Sequence, residues 1–186
     1  MRGSFEYAYQ LFTSYIEKVR PVDPNLVFDI QTKSCKDKRF IMYFWYFGPL
    51  IKTYKLLRPV IVIDKTFLKG RYRETLLTTI AIDPSNHIFP LAFLVTDSET
   101  IKSWTYFLEM FWSNFHGYDT QFVVISDRNP KIINDVSKVF LFVIHMFCAF
   151  HILNNIKTTL ESMMIACRMA AEALSCIDFD KYMNTI

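Results

Sequence analysis

The chain has 186 residues, 52% of them hydrophobic and 17% aromatic, which is material for one packed core and excludes an intrinsically disordered polypeptide. A formal net charge of +3 permits contact with a polyanion but falls short of the basic excess that would argue for nucleic acid unaided. With only 4 glycines and no GxGxxG or P-loop pattern, phosphate-cradling loops and long flexible linkers do not fit this chain.

In FEYAYQLFTSYIEKV, residues Phe5, Tyr9, Phe12, Ile16 and Val19 recur at the spacing of an amphipathic helix, which Pro21 and Pro24 then end. A polar stretch from Thr32 to Arg39 follows, and FIMYFWYF reads as a strand from its length and aromatic content, with Gly48 and Pro49 as the break. From Pro59 onward VIVID, ETLLTTIAID and HIFPLAFLVTD predict three consecutive strands, the last two joined by the turn DPSN. SETIKSWTYFLEMFWSNF predicts a helix with Ser98 as its N-cap and with Ile101, Trp104, Leu108, Phe111 and Phe115 on one face.

FVVISD is a fourth strand, KIINDVSKVF a helix that turns Ile132, Ile133, Val136, Val139 and Phe140 inward, and LFVIHMF a fifth strand. Helical stretches HILNNIKTTLES and MMIACRMAAEALSC come next, then a partial one from Asp178 to Ile186 with no closing turn signal, so the pattern reads as interrupted. The apolar runs FIMYFWYFGPLI and VFLFVIHMFCAFHIL are too short to span a bilayer, so no membrane partner is expected. Cys35, Cys148, Cys167 and Cys176 lack paired CxxC spacing and no leader sequence precedes them, which favours a reducing compartment.

Three strands in meander order, a helix, a strand, a helix and a strand make an α/β plan with a mixed sheet. Ligands of such sheets lie beyond the carboxyl ends of parallel strands, and VIVID and FVVISD both end there in an acid, Asp64 and Asp127. If the two strands are parallel neighbours, their carboxylates project from one edge about one inter-strand spacing apart, roughly 5 Å. Two anions at that distance repel unless a hard divalent cation, magnesium or manganese, lies between them. The competing reading of each acid alone is an N-cap or turn residue; Asp83, in the DPSN turn, and Asp97, before a helix, fit that reading better.

The blocks RPVIVIDKTFLKGRYRETLL, HIFPLAFLVTDSETIKSWTYFLEMF, FVVISDRNPKIINDV and CAFHILNNIK, in that order, resemble the Mutator-like element (MULE) transposases of plants. The resemblance implies a ribonuclease H-like mixed five-stranded sheet flanked by helices, occupying 59–157, with an N-terminal helix-and-strand extension over 1–58 and the start of a helical insertion over 158–186. It also implies a nuclear enzyme that cleaves DNA and joins strands with Mg2+ or Mn2+ on an Asp, Asp, Glu triad. Asp64 and Asp127 match the two aspartates, and no residue here matches the motif of the glutamate, so the resemblance implies an inactive partial core. The alternative is a domesticated or degenerate relic that binds DNA or protein without chemistry.

The family usually has glycine after the first aspartate, whereas this chain has Lys65, which either neutralises Asp64, competes with metal, or points away into solvent. Cys148 and His151 form the family's CxxH, a candidate half of a zinc site, with buried packing as the competing reading. Lys65, Lys69, Arg71, Arg73 and Arg128 cluster after the aspartates and are the candidates for phosphate contacts with DNA, set against a solvated charged loop. Trp104 and Trp112 fit core positions better than a base-stacking platform. A homo-oligomer is compatible with the family resemblance.

Overall fold

A computed structural model describes residues 11, 14–32, 40–48, 53–69, 73–115, 121–156, 161–173 and 175–183. Seven strands form one mixed sheet: β1 (Val27–Thr32), β2 (Phe40–Tyr46), β3 (Val60–Phe67), β4 (Thr75–Ile82), β5 (Ile88–Thr96), β6 (Val123–Ser126) and β7 (Ile144–Phe147), in the spatial order β1-β2-β5-β4-β3-β6-β7. The helices are α1 (Ile101–Asn114), α2 (Pro130–Val139), α3 (Ala149–Ile156), α4 (Glu161–Ala171) and α5 (Cys176–Met183), with a further helical segment at 14–19.

The expected mixed α/β plan is present, but the sheet is wider than five strands. The aromatic strand β2 pairs antiparallel with β5, and β1, a strand the sequence reading passed over, pairs antiparallel with β2. Residues 27–46 therefore extend the same sheet rather than standing beside it. VFDIQT was missed because it carries only a weak alternation between two prolines and a polar stretch.

Strand alternation gives the sheet two unlike faces. Phe44, Leu94 and Leu77 align across β2, β5 and β4, and Ala92, Thr79 and Ile63 align across β5, β4 and β3, all fully buried. This closed face packs against α1, which touches β2 and β5, and α1 in turn packs against α2. Helix α1 buries Trp104, Phe107, Leu108 and Phe111 at helical spacing, and Phe115 closes its end. Rings interlock there edge to face: Phe107 lies 6.1 Å from Phe44 and 6.2 Å from Trp104, and Trp112 lies 5.1 Å from Phe140, the C-cap of α2. Trp104 and Trp112 thus belong to the core.

Two details differ from expectation. Ile101 is 56% exposed, since the N-cap is Thr100 rather than Ser98 and the helix therefore starts with Ile101 turned outward. Thr100 and Ser103 form a capping box, each side chain bonded to the other's backbone N–H, which also explains why Ser103 is buried. In α2 the inward residues are Ile132 and Val136, with Phe140 after the helix, and Ile133 and Val139 are half-buried.

The opposite face is more open. A cross-strand row runs Phe28, Trp45, Phe93, Thr78, Asp64 by register, with the Trp45 and Phe93 rings stacked at 4.9 Å. The row ends at the carboxylate that the sequence had singled out. Helices α3, α4 and α5 pack successively on one another, and no described helix is long and apolar enough to cross a membrane.

Candidate active site

β3 and β6 are parallel neighbours, paired Val60 to Val123, Ile61 to Val124 and Val62 to Ile125. Ile61 and Val124 are both fully buried on the closed face, so Val62 and Ile125, and two residues later Asp64 and Asp127, fall on the open one. Carrying that register two steps past its last pair brings Asp64 level with Asp127; β3 runs on past Asp64 to Phe67, so this acid stands within its strand rather than at the end that VIVID suggested, while Asp127 follows the end of β6. Asp64 lies within β3, and Asp127 directly follows β6, so neither is far from a rigid support.

Each aspartate spends one oxygen on the backbone. Asp64 Oδ1 accepts from Lys65 N at 2.8 Å, and Asp127 Oδ1 accepts from Asn129 N at 3.0 Å. Among the described residues no donor reaches the second oxygen, Oδ2, of either. The Asp64 side chain is 45% exposed, and His151 Nε2 on the first turn of α3 stands 3.7 Å from its Oδ1, close enough for charge attraction but beyond a hydrogen bond.

A third carboxylate is linked to this pair through Lys65 and Asn129. Glu99, three residues after the end of β5 and just before the N-cap of α1, is only 12% exposed. Its Oε2 accepts from Lys65 Nζ, its Oε1 accepts from Asn129 Nδ2 at 2.6 Å and Trp104 Nε1 at 3.1 Å, and its backbone oxygen accepts from Lys131 Nζ at 3.0 Å. Burial pushes the Glu99 carboxyl up, but the hydrogen bonds from Lys65 and Trp104 and the charges of Lys65 and Lys131 outweigh it and hold the carboxyl below its ordinary value. Sequence reasoning missed this residue because an acid between a strand and a cap looks like a surface position. The available signal was the pair of cations, Lys65 and Lys131, that each follow an aspartate-ended strand and need a counter-charge.

The sign of its pH dependence follows directly. A carboxyl whose folded value is depressed contributes stability that is fully present above its unfolded value, near 4.5, and is lost as pH falls through the folded value. The stability gap between the parent chain and Glu99→Gln should be constant at neutral pH and close only as the pH drops below about 4.5. Urea midpoints measured at a series of pH values test this, and a gap that already closes between pH 7 and 5 would contradict it.

Lys65 matches none of its three alternatives as stated: along β3 it points to the closed face, away from the Asp64 carboxylate, but into an ion pair with Glu99 rather than into solvent. It is therefore not a free cation for phosphate. Lys69, Arg73 and Arg128 are exposed, with Arg73 in the left-handed region at φ 50° and the Arg128 guanidinium 5.8 Å from the Phe147 ring; Arg71 lies outside the described residues. Phe67, Leu68, Lys69 and Arg73 line a shallow depression of about 520 Å3 at the far end of β3.

Among the described residues no group of three or more His, Cys, Asp or Glu side chains able to hold a metal occurs, around Cys148 and His151 or elsewhere. His145, their nearest neighbour in sequence, faces the closed side, where its Nε2 is 2.8 Å from Ser126 Oγ and burial pulls its pKa down. Cys148 serves the backbone, its N–H donating to Ser126 O at 2.8 Å where β7 turns into α3. Asp83 is structural as expected, accepting from His87 N, and Asp97 accepts from Ser98 Oγ rather than capping α1.

The family model of the MULE transposase domain matches residues 60–155, just over half of the chain. The chain belongs to the MULE transposase family. No match is found among curated proteins. The matched segment of this MULE transposase domain opens on the first residue of β3 and closes inside α3, so Asp64, Glu99, Asp127 and His151 all fall within it, while β1 and β2 lie ahead of it.

Proposed function

We propose that this MULE transposase domain carries two of the acids of a metal-dependent DNA-cleaving site, with Asp64 and Asp127 as ligands of Mg2+ or Mn2+ on a ribonuclease H-like core. The observation that carries the reading is the parallel pairing of β3 and β6 through Val62 and Ile125, two residues before Asp64 and Asp127 in each strand's direction. The order β5-β4-β3-β6-β7, three antiparallel strands followed by two parallel ones, supports the core assignment. An all-oxygen donor pair with an open Oδ2 on each member fits a hard, largely hydrated cation and not a soft one.

When bound, the ion supplies the charge that a phosphodiester displacement needs and lowers the pKa of an attacking water. The chain's own part is to fix two anions where they would otherwise repel, and to hold each by a backbone N–H so that its free oxygen keeps one orientation. Lys69, Arg73 and Arg128 supply exposed positive charge for the DNA backbone, and the work belongs in the nucleus. With two of the family's three acids, the chain alone is expected to cleave no DNA.

Mn2+ titration followed by electron paramagnetic resonance tests the site. Asp64→Asn and Asp127→Asn should each weaken Mn2+ binding at least about tenfold with unchanged circular dichroism. Equal affinity in parent and both variants would remove the metal reading. DNA retention that survives both substitutions and falls with Arg128→Ala would then favour the relic, a binding module without chemistry.

A further inference from the structure

We propose that Glu99 is a positioning residue for the aspartate pair: one buried carboxylate that ties the Asp64 strand to the Asp127 turn and cancels the Lys65 cation beside them. The inference rests on the two-aspartate reading above and goes beyond it, since it assigns a third acid a role that is not metal ligation.

The contacts form two matching arms. Asp64 receives the backbone N–H of Lys65, and Asp127 receives the backbone N–H of Asn129. The side chains of those same two donors, Lys65 and Asn129, meet on the two oxygens of Glu99. Asn129 is also the N-cap of α2, its Oδ1 accepting from Lys131 N at 3.0 Å, so its amide is held at both ends and cannot rotate away from Glu99 without uncapping the helix. Trp104 Nε1 pins Glu99 to the core of α1 from behind. Every member of the chain of contacts is therefore fixed by something other than the site itself, which is how a supporting shell holds ligands in register.

Charge makes the second half of the argument. Lys65 is 21% exposed and directly follows Asp64, so an unpaired ammonium there would repel a divalent ion at the aspartates through partly desolvated surroundings, where screening by water and salt is reduced. Glu99 neutralises it without occupying either aspartate. Where the family resemblance expects a glycine after the first aspartate, this chain holds a lysine together with a matching acid.

Three variants separate the roles. Glu99→Gln keeps an oxygen for Asn129 but removes the charge, and should weaken Mn2+ binding about tenfold. Adding Lys65→Met removes the cation as well, and the double variant should return to within about threefold of the parent. If Glu99 were itself a ligand, the double variant would stay weak, and that result overturns the proposal. A metal-free readout stands beside it: hydrogen exchange at the Asn129 backbone amide should speed at least about tenfold in Glu99→Ala and stay near the parent rate in Glu99→Gln. Unchanged exchange in the alanine variant overturns the strut whatever the metal does. Failure of the aspartate reading shows differently, as Mn2+ affinity that ignores Asp64→Asn while the exchange result holds.

Discussion

Phe107→Ala is expected to cost about 3–5 kcal/mol of stability, the range for truncating a fully buried aromatic in a packed core. Phe107 has no exposure, meets Phe44 of β2 and Trp104 of its own helix, and sits at the middle of the face that α1 lays on the sheet. Its neighbours are rings held from several sides, so the space cannot collapse by a small shift, and the cavity term should be near its upper values. For a chain of this length the loss corresponds to a fall of roughly 6–20 °C in Tm. Urea denaturation and calorimetry measure it directly, and a loss below about 1 kcal/mol would mean that α1 is not the core helix described. Because Trp104 also donates to Glu99, the same variant should loosen the site before it unfolds the sheet.

Gly48→Ala is the second. A Cβ built on Gly48 would stand 2.2 Å from the Asn25 Cβ and within 2.9 Å of its backbone, closer than any packing tolerates. The approach is fixed by Asp23, 8% exposed, whose two oxygens accept from Gly48 N at 3.0 Å and Asn25 N at 3.1 Å. Since backbone rather than a flexible side-chain end obstructs the methyl, the turn at 23–25 must move, at about 1–3 kcal/mol. The damage should be local: hydrogen exchange is expected to speed in β1 and at the start of the turn while β3 and β6 keep their protection. Uniform exchange across the sheet would show instead that β1 and β2 fold as one unit with the rest.

Much of this was legible in the residues. VIVID and FVVISD are short β-branched runs that end in acids, so both strands could be read locally, although β3 runs three residues past Asp64 to Phe67, because Lys65, Thr66 and Phe67 still pair with β4. The helix α1 was visible because Trp104, Leu108 and Phe111 repeat at the period of its buried face. What could not be read was pairing between distant segments. Nothing within FIMYFWYF states that it docks against HIFPLAFLVT, and the partnership of β2 with β5 decides whether residues 27–46 widen the sheet or stand apart. Glu99 was hidden for the same reason, since its three side-chain partners come from β3, α1 and the cap of α2, and none of them is its sequence neighbour. Lys65 looked like a defect when only its adjacency to Asp64 was known.

The alternation of β3 carries a wider consequence. One peptide step along that strand moves from an anion that faces solvent on one side of the sheet to a cation that turns to the other side and pairs with Glu99. The pleat acts as a partition: it lets two oppositely charged neighbours coexist without quenching each other. A change at position 65 is then felt first beneath the sheet, at the Glu99 carboxylate, rather than on the face that Asp64 shares with solvent.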